Sequence, residues 1–295
     1  MDTTTTIADQ VRNAFPFEVT PEPLYTGDGC KTPYVGLHRN DNGEAVSQHS
    51  VSRHYVPHTT DDVIALVEAC AEAFGGGDGI KVSATFSQGH RVIVAPSRAR
   101  RQAIYGTADN VFARVIINAG YDGRAFRASM GGYRDACRNL MMLRRVSGIT
   151  ETIRHGGNLR DEMADLIETF GTIAARWDDM ALAIKEMEDR RVRLNEFLVA
   201  MYGEPNENSR RAVTMHHNRT ATIMWRVIRE RMQTGRPDIG SDYVVSGWEA
   251  FNAVQGYVQH ESRRHGSPSD VERAVMALAS SDVVRAENLA FELAI

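Results

Sequence analysis

One stretch limits the fold more than any other. Apolar residues recur at three- and four-residue steps from Met163 through Leu166 or Ile167, Phe170, Ile173, Trp177, Met180, Ile184 and Met187. The pattern runs on past Arg191 to Leu194, Leu198 and Met201. Over about forty residues this period specifies a long helix, with one face that other helices, another part of the chain or a second subunit must cover. Gly171 is the position where a break is expected, because glycine is the weakest helix former inside it. Helices also fit Ser209 to Gln233, Gly247 to Arg264 and Ser269 to Ala294. The chain after residue 158 therefore reads as helical.

The preceding half has a different texture. A short helix fits Thr5 to Phe15, and the Pro/Gly/Asn-rich stretch from Pro21 to Gly43 reads as loops and turns. "AVSQHSVSRHYVPH" alternates weakly and reads as a strand. "TTDDVIALVEACAEAFGGG" carries full helix punctuation: Thr59 or Thr60 as the cap, Asp61 and Asp62 in the first turn, and Gly75 as the stop. "KVSATFS" and "RVIVA" form one hairpin across "QGH". "NVFARVIINA" and "RAFRASM" form a second across "GYDG". The stretch "GGYRDACRNLMMLRR" then predicts a helix from about Gly132 to Arg145. The fold class is α+β: a small antiparallel sheet of β-hairpins followed by a basic helix, then a mostly helical C-terminal half with one long helix. Two units are expected, 1–157 and 158–295.

Charge points to the kind of ligand. The 295-residue chain has a formal net charge of −4, but the charge is uneven. From Ile80 to His155 there are 13 basic residues, 12 of them arginine, and 4 acids, a local +9 that leaves −13 for the remainder. A local excess of arginine suits phosphate, which the planar guanidinium grips through two parallel hydrogen bonds. The bland alternative is that these arginines lie on solvated faces or pair with acids of the C-terminal half. The candidate phosphate contacts are Arg91, Arg98, Arg100, Arg101, Arg114, Arg127, Arg134, Arg138, Arg144 and Arg145. On the expected helix, Arg134, Arg138 and Arg145 would share one stripe beside Arg144, while Ala136, Leu140 and Leu143 would pack on the sheet. Tyr105, Tyr121 and Tyr133 are interleaved with the bases and are candidate stacking platforms, each with a core reading beside it; Phe112 reads first as core.

Other chemistries lack their signatures. His49, His54 and His58, and the pair His216–His217, stand without a CxxC or HExxH, so no metal site is expected. There is no GxSxG, Walker loop or GxGxxG, and "AFGGGDGI" follows a helix rather than a strand, so neither a cofactor nor a catalytic residue is assigned. Asp178–Asp179 and Glu186–Glu188–Asp189 read as the solvated face of a long helix. Three scattered cysteines fit a reducing compartment. The N-terminus lacks a secretory pattern and no apolar run reaches membrane-spanning length, so a cytoplasmic location is expected.

The residues resemble a known family. "VSRHYVPHTTDDVIALVEA" with Ser52 and Tyr55, "GHRVIV" with Gly89 and Arg91, and "INAGYDGRAF" with Asn118, Asp122 and Gly123 carry the resemblance. So do "YRDACRN" with Arg134, Cys137 and Asn139, "IRH" with His155, and "GWEAFNAVQGYVQH" with Trp248, Asn252, Ala253, Val254, Tyr257 and His260. Together they resemble the phage/plasmid-like protein family, a domain of unknown function in phages, prophages and plasmids, over about residues 20 to 290. Ala136 and Leu140 depart from its pattern. The order hairpin, hairpin, basic helix is similar to that of the phage single-strand annealing proteins of the RecT, Red beta and Erf kind. That similarity implies a homo-oligomer in a bacterial host cell that holds single-stranded DNA without nucleotide, with a phage or host replication or recombination protein as a further candidate partner. Two alternatives stand beside it: a metal-dependent nuclease, and a non-catalytic phage protein that binds a host defence protein.

Overall fold

The computed structural model describes residues 6–73, 83–87, 90–107, 109–121, 126–134, 140–141, 150–153, 158–236, 239–240, 242–261 and 280–295. The chain starts with α1 (Ile7–Ala14), where Thr6 and Asp9 form a reciprocal capping box. A hairpin follows, β1 (Val19–Tyr25) with β2 (Lys31–Arg39), joined by the two-residue β3 (Val51–Ser52). This corrects the loop reading of 21–43. Pro21 and Pro23 lie in β1, which is an edge strand, and an edge needs no second row of N–H donors. Of the strand read in 45–58, only Val51–Ser52 forms. The hairpin closes its own small core around Phe17, Val19, Val35, Leu37, Val46, Val51, Tyr55 and Tyr121.

Helix α2 (Thr60–Ala73) begins as the sequence indicates. The Thr59 amide donates to the Asp62 carboxylate at 2.8 Å, and the Asp62 amide donates to the Thr59 hydroxyl at 3.1 Å. Strands β4 (Ser83–Ser87), β5 (His90–Ala103), β6 (Asn110–Gly120) and β7 (Phe126–Arg134) form the two expected hairpins. They run antiparallel in chain order within one six-stranded sheet. Both β8 (Leu140–Met141) and β9 (Thr150–Ile153) pair with β7.

That arrangement corrects the helix expected from Gly132 to Arg145. Gly131 to Arg134 belong to β7, and Leu140–Met141 are extended. The period-two pattern of Phe126, Ala128 and Met130 continues through Gly132 to Arg134. The reason is the length of β6: its ladder with β7 runs on to Gly132 opposite Ala113 and Arg134 opposite Val111. Residues 135–139 and 142–149 lie outside the described residues.

The long helix is α3 (Leu159–Asp189), 31 residues without interruption at Gly171, whose absent side chain would have met open space. The chain breaks later. Arg190 turns extended (φ −72°, ψ 134°), β10 (Arg191–Arg193) pairs with β11 (Val244–Ser246), and α4 (Leu194–Tyr202) resumes. The apolar period survives this break, which is why it read as one helix. Helices α5 (Arg210–Gln233), α6 (Gly247–His260) and α7 (Ser281–Ala294) complete the helical half. The stripe of α3 is covered within the chain: Met163, Leu166, Phe170, Trp177, Met180, Ile184 and Met187 join a buried cluster running from Val11 to Ala294. Almost all of α6 is buried, so it is the central helix. Gly247 starts it where a Cβ would stand 2.1 Å from the Ala294 carbonyl oxygen; only glycine lets α7 approach so closely. Among the described residues no helix is long and apolar enough to cross a membrane.

Candidate nucleic-acid interface

The ladder pairings of the sheet sort the candidate arginines by face, since paired residues share a face and neighbours alternate. Ile93, Ile117 and Ala128 lie in one row and are fully buried. Helices α1, α2 and α3 contact the sheet, and their residues join these in the buried cluster. Positions on the opposite face form their own rows. Arg101 lies opposite Phe112, which lies opposite Tyr133. Pro96, Arg114 and Gly131 make the next row, then Val94, Ile116 and Ser129, then Val92, Asn118 and Arg127. Arg101, Arg114 and Arg127 thus share the face away from the helices, together with Phe112 and Tyr133. Its Arg101 end is open to solvent, while Asn118 at the other end is buried.

The remaining candidates fall elsewhere. Register slips between Ser97 and Arg101, so Arg98 and Arg100 sit in a bulge of β5, with Arg100 half-buried. Arg91 pairs with Ala119, a register position on the helix-covered face. Arg138, Arg144 and Arg145 lie outside the described residues.

Arg134 is not a surface cation. It is fully buried. Its Nε donates to the Asp109 carboxylate at 2.8 Å, and its Nη1 lies 2.7 Å from Glu230 on α5. Glu230 also accepts from the Asn252 amide at 2.7 Å. Burial raises the Glu230 pKa, and Arg134 works against that rise. The alternative reading of this arginine, pairing with acids of the helical half, is the one the structure adopts; the acid is Glu230 rather than one on α3.

Two of the three tyrosines are also structural. Tyr121 is fully buried, stacked on His58 with centroids 4.3 Å apart, and its hydroxyl donates to the His58 carbonyl at 3.2 Å. Tyr105 occupies the β5–β6 turn at φ 51°. Its amide donates to Glu188, its hydroxyl shares a hydrogen bond with Ser246, and the Arg236 guanidinium covers its ring at 3.6 Å. Burial, then the nearby Glu249 charge, push its pKa up to about 12.

Sequence reasoning missed this buried network. Arg231 binds Glu249 through two bonds of 2.6 and 2.8 Å, and Arg236 adds a third contact at 2.9 Å. Glu249 also accepts the Ser246 amide in a capping box. Burial would raise the Glu249 pKa, but the Arg231 bonds, the Ser246 amide and Arg236 outweigh it, so the net shift is downward. Arg231 lies 18 residues from Glu249, and of these contacts only the Ser246–Glu249 box has a spacing that can be read locally. Through these bonds and those of Arg134 and Tyr105, charge-assisted contacts join the sheet to α5 and α6. Among the described residues no group of three His, Cys, Asp or Glu side chains is placed to hold a metal ion.

Residues 48–289 match the family described as Domain of unknown function (DUF932). No curated protein and no solved structure gives a significant match to the chain. The matched span takes in the antiparallel sheet, the long helix, the buried ion-pair network and the central helix, and on that extent the chain belongs to the DUF932 family.

Proposed function

We propose that this protein binds single-stranded DNA along the outer face of its sheet, as a phage-type, ATP-independent annealing protein that works as an oligomer in a bacterial cytoplasm. The observation that carries the reading is the placement of Arg101, Arg114 and Arg127 on one sheet face with Phe112 and Tyr133 among them. Arginines along a sheet follow a phosphate backbone without reading sequence, and aromatic faces accept any base. Annealing needs strands held extended with their base edges exposed and requires no bond-making residue, which accords with the lack of a catalytic motif in the sequence.

The test is a fluorescence-anisotropy titration with a labelled oligothymidylate and a duplex of equal length at two salt concentrations. Each phosphate contact to a single strand gives a log–log salt slope of about −0.7. The variant Arg101→Ala/Arg114→Ala/Arg127→Ala is expected to flatten the slope by roughly two and to slow annealing of complementary strands. Equal affinity for the triple variant, strand cleavage in Mg²⁺, or failure to bind single strands at low salt overturns the reading.

A further inference from the structure

Among the described helices, α5 is strongly basic. Between Arg210 and Gln233 there are six arginines, no lysine, and a single acid, Glu230. That acid is already spent on Arg134 and Asn252. Arg231 is buried against Glu249, Arg226 pairs with Glu261 at 2.7 Å, and Arg219 lies over the Tyr202 ring. Arg210, Arg211 and Arg229 are exposed and have no acidic partner among the described residues.

Two of these cations, Arg211 and Arg229, belong to a straight stripe. Arg211, Met215, Asn218, Thr222, Trp225, Arg229 and Met232 follow one another at alternating four- and three-residue steps, so they line one side of the helix over about 31 Å. The stripe faces solvent: Met215 is 52%, Trp225 60% and Met232 74% exposed. Trp225, Arg229, Thr222, Arg226 and Glu261 border a shallow cleft of about 320 Å³. An indole at the mouth of a cleft, with a guanidinium one helical turn away, is a stacking face beside a phosphate partner.

We infer that this stripe is a second docking surface for single-stranded nucleic acid, in which Trp225 stacks on a base and Arg211 and Arg229 hold phosphates on either side. Charge selects this occupant. A second copy of the helix laid antiparallel on the stripe would bring Arg211 of one copy towards Arg229 of the other with no acid between them. A bilayer would require a continuous apolar face, whereas here Asn218, Thr222 and the arginines interrupt the apolar positions. The proposal takes its ligand class from the function proposed above but rests on different residues, so the two are separable.

The chain supplies its own probe. It has three tryptophans, and Trp177 and Trp248 are buried at 3% and 0% exposure. Quenching of tryptophan emission by an unlabelled oligothymidylate therefore reports on Trp225. The expected result is saturable quenching in the parent and in the Arg101→Ala/Arg114→Ala/Arg127→Ala protein, absent in Trp225→Phe. Anisotropy should show a loss of about 5- to 150-fold in affinity for Trp225→Ala. Arg211→Ala/Arg229→Ala should flatten the salt slope by about 1.4. Undiminished quenching in Trp225→Phe, or anisotropy-detected binding without quenching in the parent, overturns this surface while leaving the sheet reading standing. A change of sedimenting mass in Trp225→Ala without oligonucleotide makes the stripe a self-association face and also overturns it.

Discussion

Arg134→Ala separates a phosphate contact from a structural cation at the same residue. In the structure the substitution removes a fully buried guanidinium that Asp109 and Glu230 share. The side chains of Asp109 and Glu230 are only 13% and 15% exposed. Stranding one side of a buried ion pair costs about 3–5 kcal/mol. The unfolding entropy is about 2.1 cal/mol/K per residue, or roughly 0.6 kcal/mol/K for the whole chain, so the melting temperature should fall by about 5–8 °C if unfolding is cooperative. The deficit should also depend on pH. Without Arg134 the folded-state pKa of Glu230, already raised by burial, rises further. A raised carboxylate contributes stability fully below its unfolded value, and that stability is lost as pH climbs through the folded value. The penalty should therefore grow from pH 5 to pH 8, read as urea midpoints at each pH. Arg134→Lys keeps one charge but cannot bridge both acids, and should fall between. Melting of Arg134→Ala within 1–2 °C of the parent, the window expected of about 1 kcal/mol, would refute the buried-pair account. So would a flattened oligonucleotide salt slope in the folded variant.

Three further outcomes follow from the same geometry. Gly247→Ala places a methyl 2.1 Å from the Ala294 carbonyl oxygen and 3.1 Å from that of Met187. It should destabilise by about 1–3 kcal/mol, the range for overpacking, and loosen α7, measured by limited proteolysis at the C-terminus. Glu249 has a lowered pKa, so its contribution is fully present above the unfolded carboxylate value and lost as pH falls through the folded one. The fall in stability below about pH 4.5 should thus be shallower in Glu249→Gln, although that variant starts less stable because Arg231 and Arg236 lose their partner. Trp248 is fully buried where Trp225 is exposed, so Trp248→Phe should lower stability while leaving oligonucleotide quenching intact, as followed by thermal melts and emission titration.

Much of the fold is legible in the sequence because periodicity is a local property. The alternation in β4 to β7, the capping threonine of α2 and the apolar steps of α3 each draw on a few neighbouring residues. Where the pattern misled, a distant partner had decided the matter. The β6–β7 ladder holds Gly131 to Arg134 extended against a helical reading. Pairing between β10 and β11, some fifty residues apart, ends α3 at Asp189 instead of Gly171. The proline-rich β1 is a strand only because β2 satisfies its inner edge. The basic face of α5 was hidden for a simpler reason. Everything outside 80–155 was pooled into one negative total, and the six arginines of α5 disappeared into it. Spacing within 209–233 could have revealed that stripe; nothing local could have revealed that Arg134 meets Glu230.

The Arg134–Glu230 contact has one more consequence. Glu230 directly follows Arg229 on α5, and Arg134 directly follows Tyr133 on β7. The exposed stripe of the helix and the outer face of the sheet are thus pinned to the same ion pair, each one residue away from it. Neither surface has to be frozen out of a mobile ensemble when something docks there, because the ordering entropy has already been lost in folding. Binding to either should then show little change in amide hydrogen exchange across α5 and β7, and weakening the ion pair should slow no encounter but shorten the life of what forms.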